Sequence, residues 1–149
     1  MTPAAAACRT ARKRGLDDGK EPNVSDANRI EKGMAVIAKL FGSAAGRAKL
    51  PEDFRRITAE HLFGNIWSRP GLELAERSMI TLAALAVLGR EAELRLHFRG
   101  ARNLGIPRAK LEEMMIHLAH YGGWPVGVGG LRALDEVCAA MDAEGDAQT

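Results

Sequence analysis

Cysteine and aromatic residues are scarce in this sequence. Only two cysteines, Cys8 and Cys138, occur in 149 residues, and they are far apart along the chain. A disulfide framework is therefore not expected, and this cysteine usage is typical of an intracellular protein. Aromatic residues make up 5% of the chain, whereas alanine, leucine and glycine are abundant, a composition that favours closely packed helices.

Long apolar runs and a strong charge of one sign are also lacking. No segment has the roughly 18 consecutive apolar residues of a membrane span. The formal net charge of +2 is too small to indicate nucleic-acid binding. The alanines at 4–7 precede the basic residues of the tail, which is the wrong order for a secretory signal. We therefore expect a cytoplasmic protein that binds neither nucleic acid nor membrane.

The chain length predicts one domain. Residues 1–24 show no apolar periodicity and are expected to form a disordered basic tail. Residues 25–141 are predicted to form a single all-helical domain of about six helices, since no strand pattern appears in them. Residues 142–149 are acidic, and we expect them to be frayed.

Apolar residues recur at helical spacing between glycine and proline punctuation. Ser25 can cap the first helix with its hydroxyl, and Pro51 can begin the second because proline has no amide hydrogen to leave unpaired. The third helix is apolar on all sides and is expected to be the buried centre of the bundle. The predicted helices are 25–42, 51–67, 74–88, 91–104 and 108–121, then a glycine-rich joint at 122–130 and a last helix at 131–141.

Histidines supply the candidate proton-transfer groups. None of them forms a His-Glu-x-x-His pair, so no metal site is predicted. His97 shares a helix face with Ala101 and Gly105, whose small side chains leave space for either a neighbouring helix or a ligand. An imidazole beside a ligand could transfer a proton near neutral pH. His120 lies on an apolar helix face and is expected to be a core residue with satisfied hydrogen bonds.

Arginines near a Pro-Gly turn are the candidate anion-binding groups. Arg77 lies early in the most apolar helix, where an unpaired charge is costly. Arg77 either forms a structural ion pair or, with Arg69 across the turn, binds a substrate carboxylate, which a guanidinium fork fits well. The candidate ion-pair partners are Glu60, Glu73 and Glu76. Glu60 precedes a strongly apolar run and could itself face the interior.

Four motifs in a fixed order carry a family resemblance. Residues 64–72, GNIWSRPGL, match a Gly-x-x-Trp-x-Arg-Pro-Gly-Leu signature, and residues 77–82, RSMITL, match the Arg-Ser helix that follows it. Residues 97–105, HFRGARNLG, match His-x-x-x-Ala-x-x-x-Gly, and residues 121–125, YGGWP, match Tyr-x-Gly-x-Pro. With these motifs the chain resembles the carboxymuconolactone decarboxylase family over about residues 27–140.

The resemblance implies an all-helical subunit that assembles into rings, typically trimers or hexamers, with sites near subunit contacts. It also implies one of two chemistries, either loss of CO₂ from a lactone derived from aromatic-ring cleavage or a thiol peroxidase with a Cys-x-x-Cys pair. This sequence has Arg90 and Glu93 at the positions of the paired cysteines. It has Ser78 at the position of the acidic residue that assists those cysteines. Since redox exchange needs a thiolate, the peroxidase chemistry is disfavoured.

One position departs from the decarboxylase pattern. The family's Leu-x-Asn-Gly has its asparagine one position later than Asn103 here, a displacement of about 100° around a helix. If that asparagine faces substrate in the family, the displacement alters the pocket. The resemblance therefore predicts a specific fold, whereas it leaves open which substrate the protein binds.

Together, the residues and the resemblance predict a cofactor-free lyase that removes CO₂ from a carboxylated lactone or similar small anionic metabolite. The predicted catalytic residues are His97 for proton transfer, Arg77 for a carboxylate and Glu60 for the tautomer and charge of the histidine; the predicted binding residues are Arg69, Trp67, Tyr121 and His117. Two alternatives are an enzyme of specialised metabolism that catalyses cyclisation, elimination or isomerisation, and a non-enzymatic oligomeric binding protein. No cofactor and no metal is expected.

Overall fold

The computed structural model describes residues 26–42 and 49–146 of the chain. The regular elements of these residues are all helices, and no strand occurs in them, so the all-helical prediction is confirmed. The expected disordered tail at 1–24 and the expected cap Ser25 lie outside the described residues. The helices are α1 Asp26–Phe41, α2 with an α-helical part Glu52–Ile57 and a π-helical part Thr58–Ile66, α3 Leu74–Val87, α4 Glu91–Asn103, α5 Arg108–Gly122 and α6 Trp124–Asp146.

The last helix is longer at both ends than predicted. The expected joint at 122–130 is helical from Trp124, and only Gly123, with a φ of 94°, interrupts the chain between α5 and α6. A Cβ at Gly127 would lie 2.7 Å from the Cβ of Ala119 on α5. Glycine in this segment therefore permits close packing of α6 on α5, rather than breaking the helix.

The far end of α6 is held against α4 by an ion pair. Both terminal guanidinium nitrogens of Arg99 donate to the carboxylate of Glu144, at 2.6 and 2.9 Å. A bidentate pair of this kind is stronger than a single surface contact. The helix consequently extends to Asp146 instead of ending near residue 141.

In residues 26–42 and 49–146, buried apolar side chains form two core clusters. The larger joins α3, α4, α5 and α6, and Leu104 packs against both clusters. The smaller cluster joins α1 and α2 and contains Val36, Leu40, Phe41, Phe63 and Trp67. This smaller cluster lies beside the helix that carries the candidate catalytic histidine.

The prediction that α3 is the buried centre of the bundle is wrong for the single chain. Leu82 and Ala86 point into the larger cluster, but Ile80 is 57% exposed and Val87 is 50% exposed. One apolar face of α3 is therefore uncovered by the described residues. Among those residues no helix is both long enough and apolar enough to cross a membrane.

Two glycines allow α1 and α2 to cross with their backbones in contact. A Cβ at Gly33 would lie 1.9 Å from the carbonyl oxygen of Ala59, and one at Gly64 would lie 2.0 Å from that of Arg29. No side chain fits in either place. This crossing fixes the distance between α1 and the π-helical part of α2, and with it the width of the aromatic cluster.

Candidate active site

The imidazole of His97 lies at the contact of α4 with the aromatic cluster. Its ring meets Phe41 edge-on, with centroids 5.3 Å apart and an interplanar angle of 87°. Trp67 lies on another side, with centroids 6.2 Å apart and an angle of 32°. The aromatic rings of Phe41 and Trp67 therefore occupy the space that small residues on α4 were expected to leave. Trp67 thus lies against His97, and its predicted role in binding a ligand stays a prediction.

The helix α2 changes its hydrogen-bonding pattern just before Trp67. From Thr58 to Ile66 the helix is π-helical, and the amide of Trp67 donates to the carbonyl of Leu62, at 2.9 Å. Such i→i+5 segments are rare and occur frequently at functional sites. Phe63 lies in this segment and bridges Phe41 and Trp67, with centroids 5.9 and 5.5 Å apart. The sequence offered no signal for the π-helix.

Burial determines the ionisation of His97. Loss of solvent lowers the pKa of His97 below its ordinary value of 6.5, against the weaker opposing effect of the Glu93 carboxylate. The Nδ1 atom is buried and has no hydrogen-bond partner. A buried polar atom without a partner reduces the stability of the folded chain by about 1–3 kcal/mol. Such an atom therefore indicates a functional or structural reason for its presence. A bound ligand would supply the partner.

Arg77 joins the start of α3 to the preceding turn. One terminal nitrogen donates to the carbonyl oxygen of Arg69, at 2.8 Å, while its Nε is buried without a partner. The alternative of an ion pair with Glu60, Glu73 or Glu76 is wrong, because Arg77 forms no ion pair with any described residue. The guanidinium of Arg77 thus keeps an unused donor, and the side chain of Arg69 is exposed nearby in sequence.

Ser78 stands where the peroxidase branch of the family has its acidic residue. The sequence alone does not mark it as a candidate site residue. Its side chain is fully buried, and its hydroxyl has no hydrogen-bond partner. Within the described part of the chain, the buried side-chain atoms without partners belong to Arg77, Ser78 and His97 alone. Two of these three residues were predicted from sequence to be catalytic. Among the residues that the structure describes, the buried side-chain atoms without partners thus lie at the start of α3 and in the middle of α4.

Glu60 is buried, as its place before the apolar run indicated. It is 6% exposed and lies in the π-helical segment. Its carboxylate is 3.6 Å from a guanidinium nitrogen of Arg56 and 3.7 Å from Nε2 of His61. Neither a hydrogen bond nor an ion pair joins it to His97 in the described structure. Its predicted effect on the tautomer of His97 therefore stays a prediction.

The described structure records no bond or ring contact between His97 and the two predicted lining residues on α5. Tyr121 is 78% exposed, and His117 is exposed and pairs with Tyr121 at a centroid distance of 4.9 Å. His120 was expected in the core but is exposed, because its face of α5 turns outward; its Nδ1 is 3.1 Å from the carbonyl oxygen of Ile116.

A cleft of about 180 Å³ lies where the α3–α4 turn meets α6. Apolar side chains form most of its wall, and Arg90 and Glu91 contribute the charged groups. None of the sequence-predicted site residues lines it. Cys138 is buried and free in the larger cluster, away from the positions where a peroxidase would need its cysteines. Among the described residues, no group of three or more potential ligands is arranged to hold a metal ion.

Sequence comparison identifies the fold family. The family model described as the carboxymuconolactone decarboxylase family matches residues 52–136, from the start of α2 to the middle of α6. The chain belongs to the carboxymuconolactone decarboxylase family. The matched segment contains Trp67, Arg77 and His97, so the motifs that carried the resemblance lie inside it.

Two relatives of this family are named decarboxylases. The chain is 32% identical over 120 residues to the 4-carboxymuconolactone decarboxylase of Acinetobacter baylyi, covering 76% of this chain and 90% of the relative. It is 38% identical over 73 residues to nitrosuccinic acid decarboxylase of Metarhizium robertsii, covering 48% of this chain and 50% of the relative. The prediction of a decarboxylase-like enzyme is thereby confirmed at the level of enzyme class.

Proposed function

We propose that the protein is a cofactor-free carboxy-lyase that removes CO₂ from a carboxylated lactone or a similar small anionic metabolite, with His97 transferring the proton. The observation that carries the proposal is the unpaired, buried Nδ1 of His97, which lies in a family motif and against Trp67 of a second family motif. The unpaired ring nitrogen of this imidazole can form a hydrogen bond with a ligand. Because the ring is largely buried, few water molecules compete with the ligand for that bond.

The chemistry requires a stabiliser for negative charge and a source of a proton. When the carbon–carbon bond to the carboxylate breaks, its electron pair enters the conjugated system and CO₂ leaves. The protonated imidazole of His97 gives its proton to the resulting carbanion, and solvent then reprotonates the ring. An anionic substrate favours the protonated imidazole, because a nearby negative charge opposes the effect of burial on the pKa of His97.

Arg77 and Arg69 are proposed to orient a second carboxylate of the substrate. Support comes from the buried Nε of Arg77, which has no partner in the described structure, and from the exposed side chain of Arg69. A planar guanidinium offers parallel N–H donors to two carboxylate oxygens. Glu60 is proposed to orient the imidazole through a bound water or through the substrate.

A small aliphatic acid is the second candidate substrate. The similarity to nitrosuccinic acid decarboxylase favours it, because that relative is more similar per aligned residue, although over a shorter segment. In a nitro acid, as in a conjugated lactone, an electron-withdrawing group can accept the electron pair that decarboxylation leaves behind. The same histidine and arginine roles would serve both substrates.

We also propose that the active form is a homo-oligomer, a trimer or hexamer. The exposed apolar residues of α3 and α5 support this proposal, since a monomer rarely exposes contiguous apolar patches of large area. No ring contact or hydrogen bond of the described residues joins Tyr121 or His117 to His97 within one chain, and we propose that they complete the lining from a neighbouring copy. The exposed apolar residues on these two helices, α3 and α5, or directly after them are Ile80, Val87, Leu88, Ile116 and Trp124.

The test is CO₂ release by purified protein that has been dialysed against a chelator. We expect turnover of 4-carboxymuconolactone or nitrosuccinate without added cofactor, and a fall in kcat of about 10²–10⁴-fold in His97→Ala, the usual contribution of a general acid. His120→Ala changes an exposed histidine on α5 and should keep wild-type activity. Full activity in His97→Ala removes the proposed role of His97, and no turnover of either acid by the wild type rejects both substrates.

A further inference from the structure

The C-terminal end of α1 is held by a side chain from α4. The last carbonyl groups of a helix have no partner within the helix and must find one elsewhere. The carbonyl oxygen of Leu40 accepts a hydrogen bond from the side-chain amide of Asn103, with an N–O distance of 2.7 Å. Leu40 is fully buried, so this bond replaces the water that an exposed helix end would use.

The same side of α4 lies in contact with the last turn of α1. A Cβ at Gly100 would lie 3.3 Å from the carbonyl oxygen of Leu40 and 3.5 Å from Cε1 of Phe41. Gly100 therefore allows the close approach, and Asn103 provides the polar contact that fixes it. His97, Gly100 and Asn103 stand three residues apart and occupy neighbouring positions around α4.

Phe41 follows Leu40 directly and touches the imidazole. Its ring meets His97 edge-on at 5.3 Å, and it belongs to the buried cluster that excludes water from that side of the imidazole. Any displacement of the carbonyl of Leu40 moves the backbone that carries Phe41. Asn103 lies six residues after His97 on α4. Its hydrogen bond to Leu40 is thus connected to the surroundings of His97 through the last turn of α1.

We propose that Asn103 is a positioning residue, whose amide holds the last turn of α1 so that the ring of Phe41 stays packed against His97. Its contact with α1 gives the displaced asparagine a role that does not involve touching the substrate. For activity the inference rests on the proposed function of His97. For the surroundings of the imidazole it stands on the described contacts alone.

The structure defines which groups act on the imidazole. α1 presents Phe41 and α2 presents Trp67, both uncharged, and Glu93 on α4 is the charged group that acts on His97 among the described residues. A change confined to Asn103 leaves Glu93 and Trp67 in place. Movement of Phe41 and the entry of water are then the expected causes of any change in the titration of His97.

The test is an NMR titration of His97 in Asn103→Leu, which removes the amide and keeps a side chain of similar size. We expect the pKa of His97 to move up toward 6.5, because water reaches the ring. kcat/KM should fall about ten- to hundredfold, as expected when a catalytic group is misplaced. Arg102→Leu is the matched control, because Arg102 also donates to a carbonyl, that of Ile106 at 2.9 Å, which follows α4 and does not belong to α1.

A second variant protects the test from failure to fold. Phe41→Leu keeps the hydrogen bond from the side-chain amide of Asn103 to the carbonyl of Leu40, and it should move the pKa of His97 in the same direction. The double variant should titrate like Phe41→Leu alone. A lower melting temperature in Asn103→Leu with an unmoved His97 pKa would show that Asn103 is only a helix cap, and an unmoved pKa in Phe41→Leu would also overturn the proposal. Because the titration needs no substrate, its result does not depend on whether the protein is a decarboxylase.

Discussion

At the scale of single residues, the burial of His97 connects proton binding to stability. The pKa of His97 is lowered in the folded chain, so the unfolded chain binds more protons at mildly acidic pH. The free energy of unfolding therefore decreases as the pH falls from about 6.5 through the lowered pKa. At higher pH the ring of His97 is neutral in both the folded and the unfolded chain. The free energy of unfolding then no longer decreases through protonation of this residue.

The corresponding variant is His97→Gln, which removes the titrating group and keeps a polar side chain. We expect its free energy of unfolding to fall less than that of the wild type between pH 7 and pH 5, as measured by urea unfolding at each pH. His120→Gln on the exposed face of α5 should follow the wild type. Parallel curves for the wild type and His97→Gln would contradict the burial of this imidazole.

Individual candidate residues can be named from the sequence where a motif marks them. His97, Trp67 and Arg77 are such candidates, since each lies in a segment with recognisable spacing, and their roles stay predictions. Phe41 was not found, because periodicity shows which face of a helix is apolar but not which distant residue it meets. Phe41 and His97 are far apart in the sequence, and their contact depends on how α1 and α4 pack.

At the scale of helices, the crossing of α1 and α2 depends on the absence of side chains. A Cβ at Gly64 would lie 2.0 Å from the backbone carbonyl of Arg29, and a backbone atom cannot rotate away as a flexible side chain can. We expect Gly64→Ala to destabilise the protein by about 1–3 kcal/mol, the usual range for overpacking. The free energy of unfolding in denaturant measures this change.

Gly129→Ala on α6 is the matched control for this prediction. A Cβ there meets nothing within 4 Å, so alanine should stabilise the helix by about 0.5–1 kcal/mol through its higher helix propensity. Equal effects of the two substitutions would contradict the close crossing. The contrast also explains why the joint at 122–130 was predicted wrongly: in sequence, a glycine that permits packing looks the same as one that breaks a helix.

At the scale of the whole molecule, the single chain leaves apolar surface uncovered. Periodicity predicted a fully buried α3, yet Ile80 is 57% exposed and Leu88, just past its end, is 70% exposed. The sequence pattern correctly indicates an apolar helix, but it does not show whether the residues that cover this helix belong to the same chain. The proposed oligomer supplies the cover from other copies, which no pattern within one sequence specifies.

The proposed assembly has a direct measurement in light scattering. We expect a molar mass of three or six times the 16.1 kDa of one chain, and a lower mass for Ile116→Lys, which places a charge at an exposed apolar residue of α5. Glu31→Lys, which introduces the same side chain at an exposed position of α1, should assemble normally. A wild type that stays at the mass of one chain would reject the oligomer and the contribution of Tyr121 and His117 from a second copy.

The most direct test of the proposed site is a crystal structure with a non-reactive carboxylated lactone bound. We predict that the ligand lies beside His97, with an atom in hydrogen-bonding reach of the ring, about 2.6–3.2 Å, and a carboxylate against Arg77 or Arg69. Binding instead in the cleft beside Arg90, with only Phe41 and Trp67 against the imidazole, would contradict the assignment of the active site.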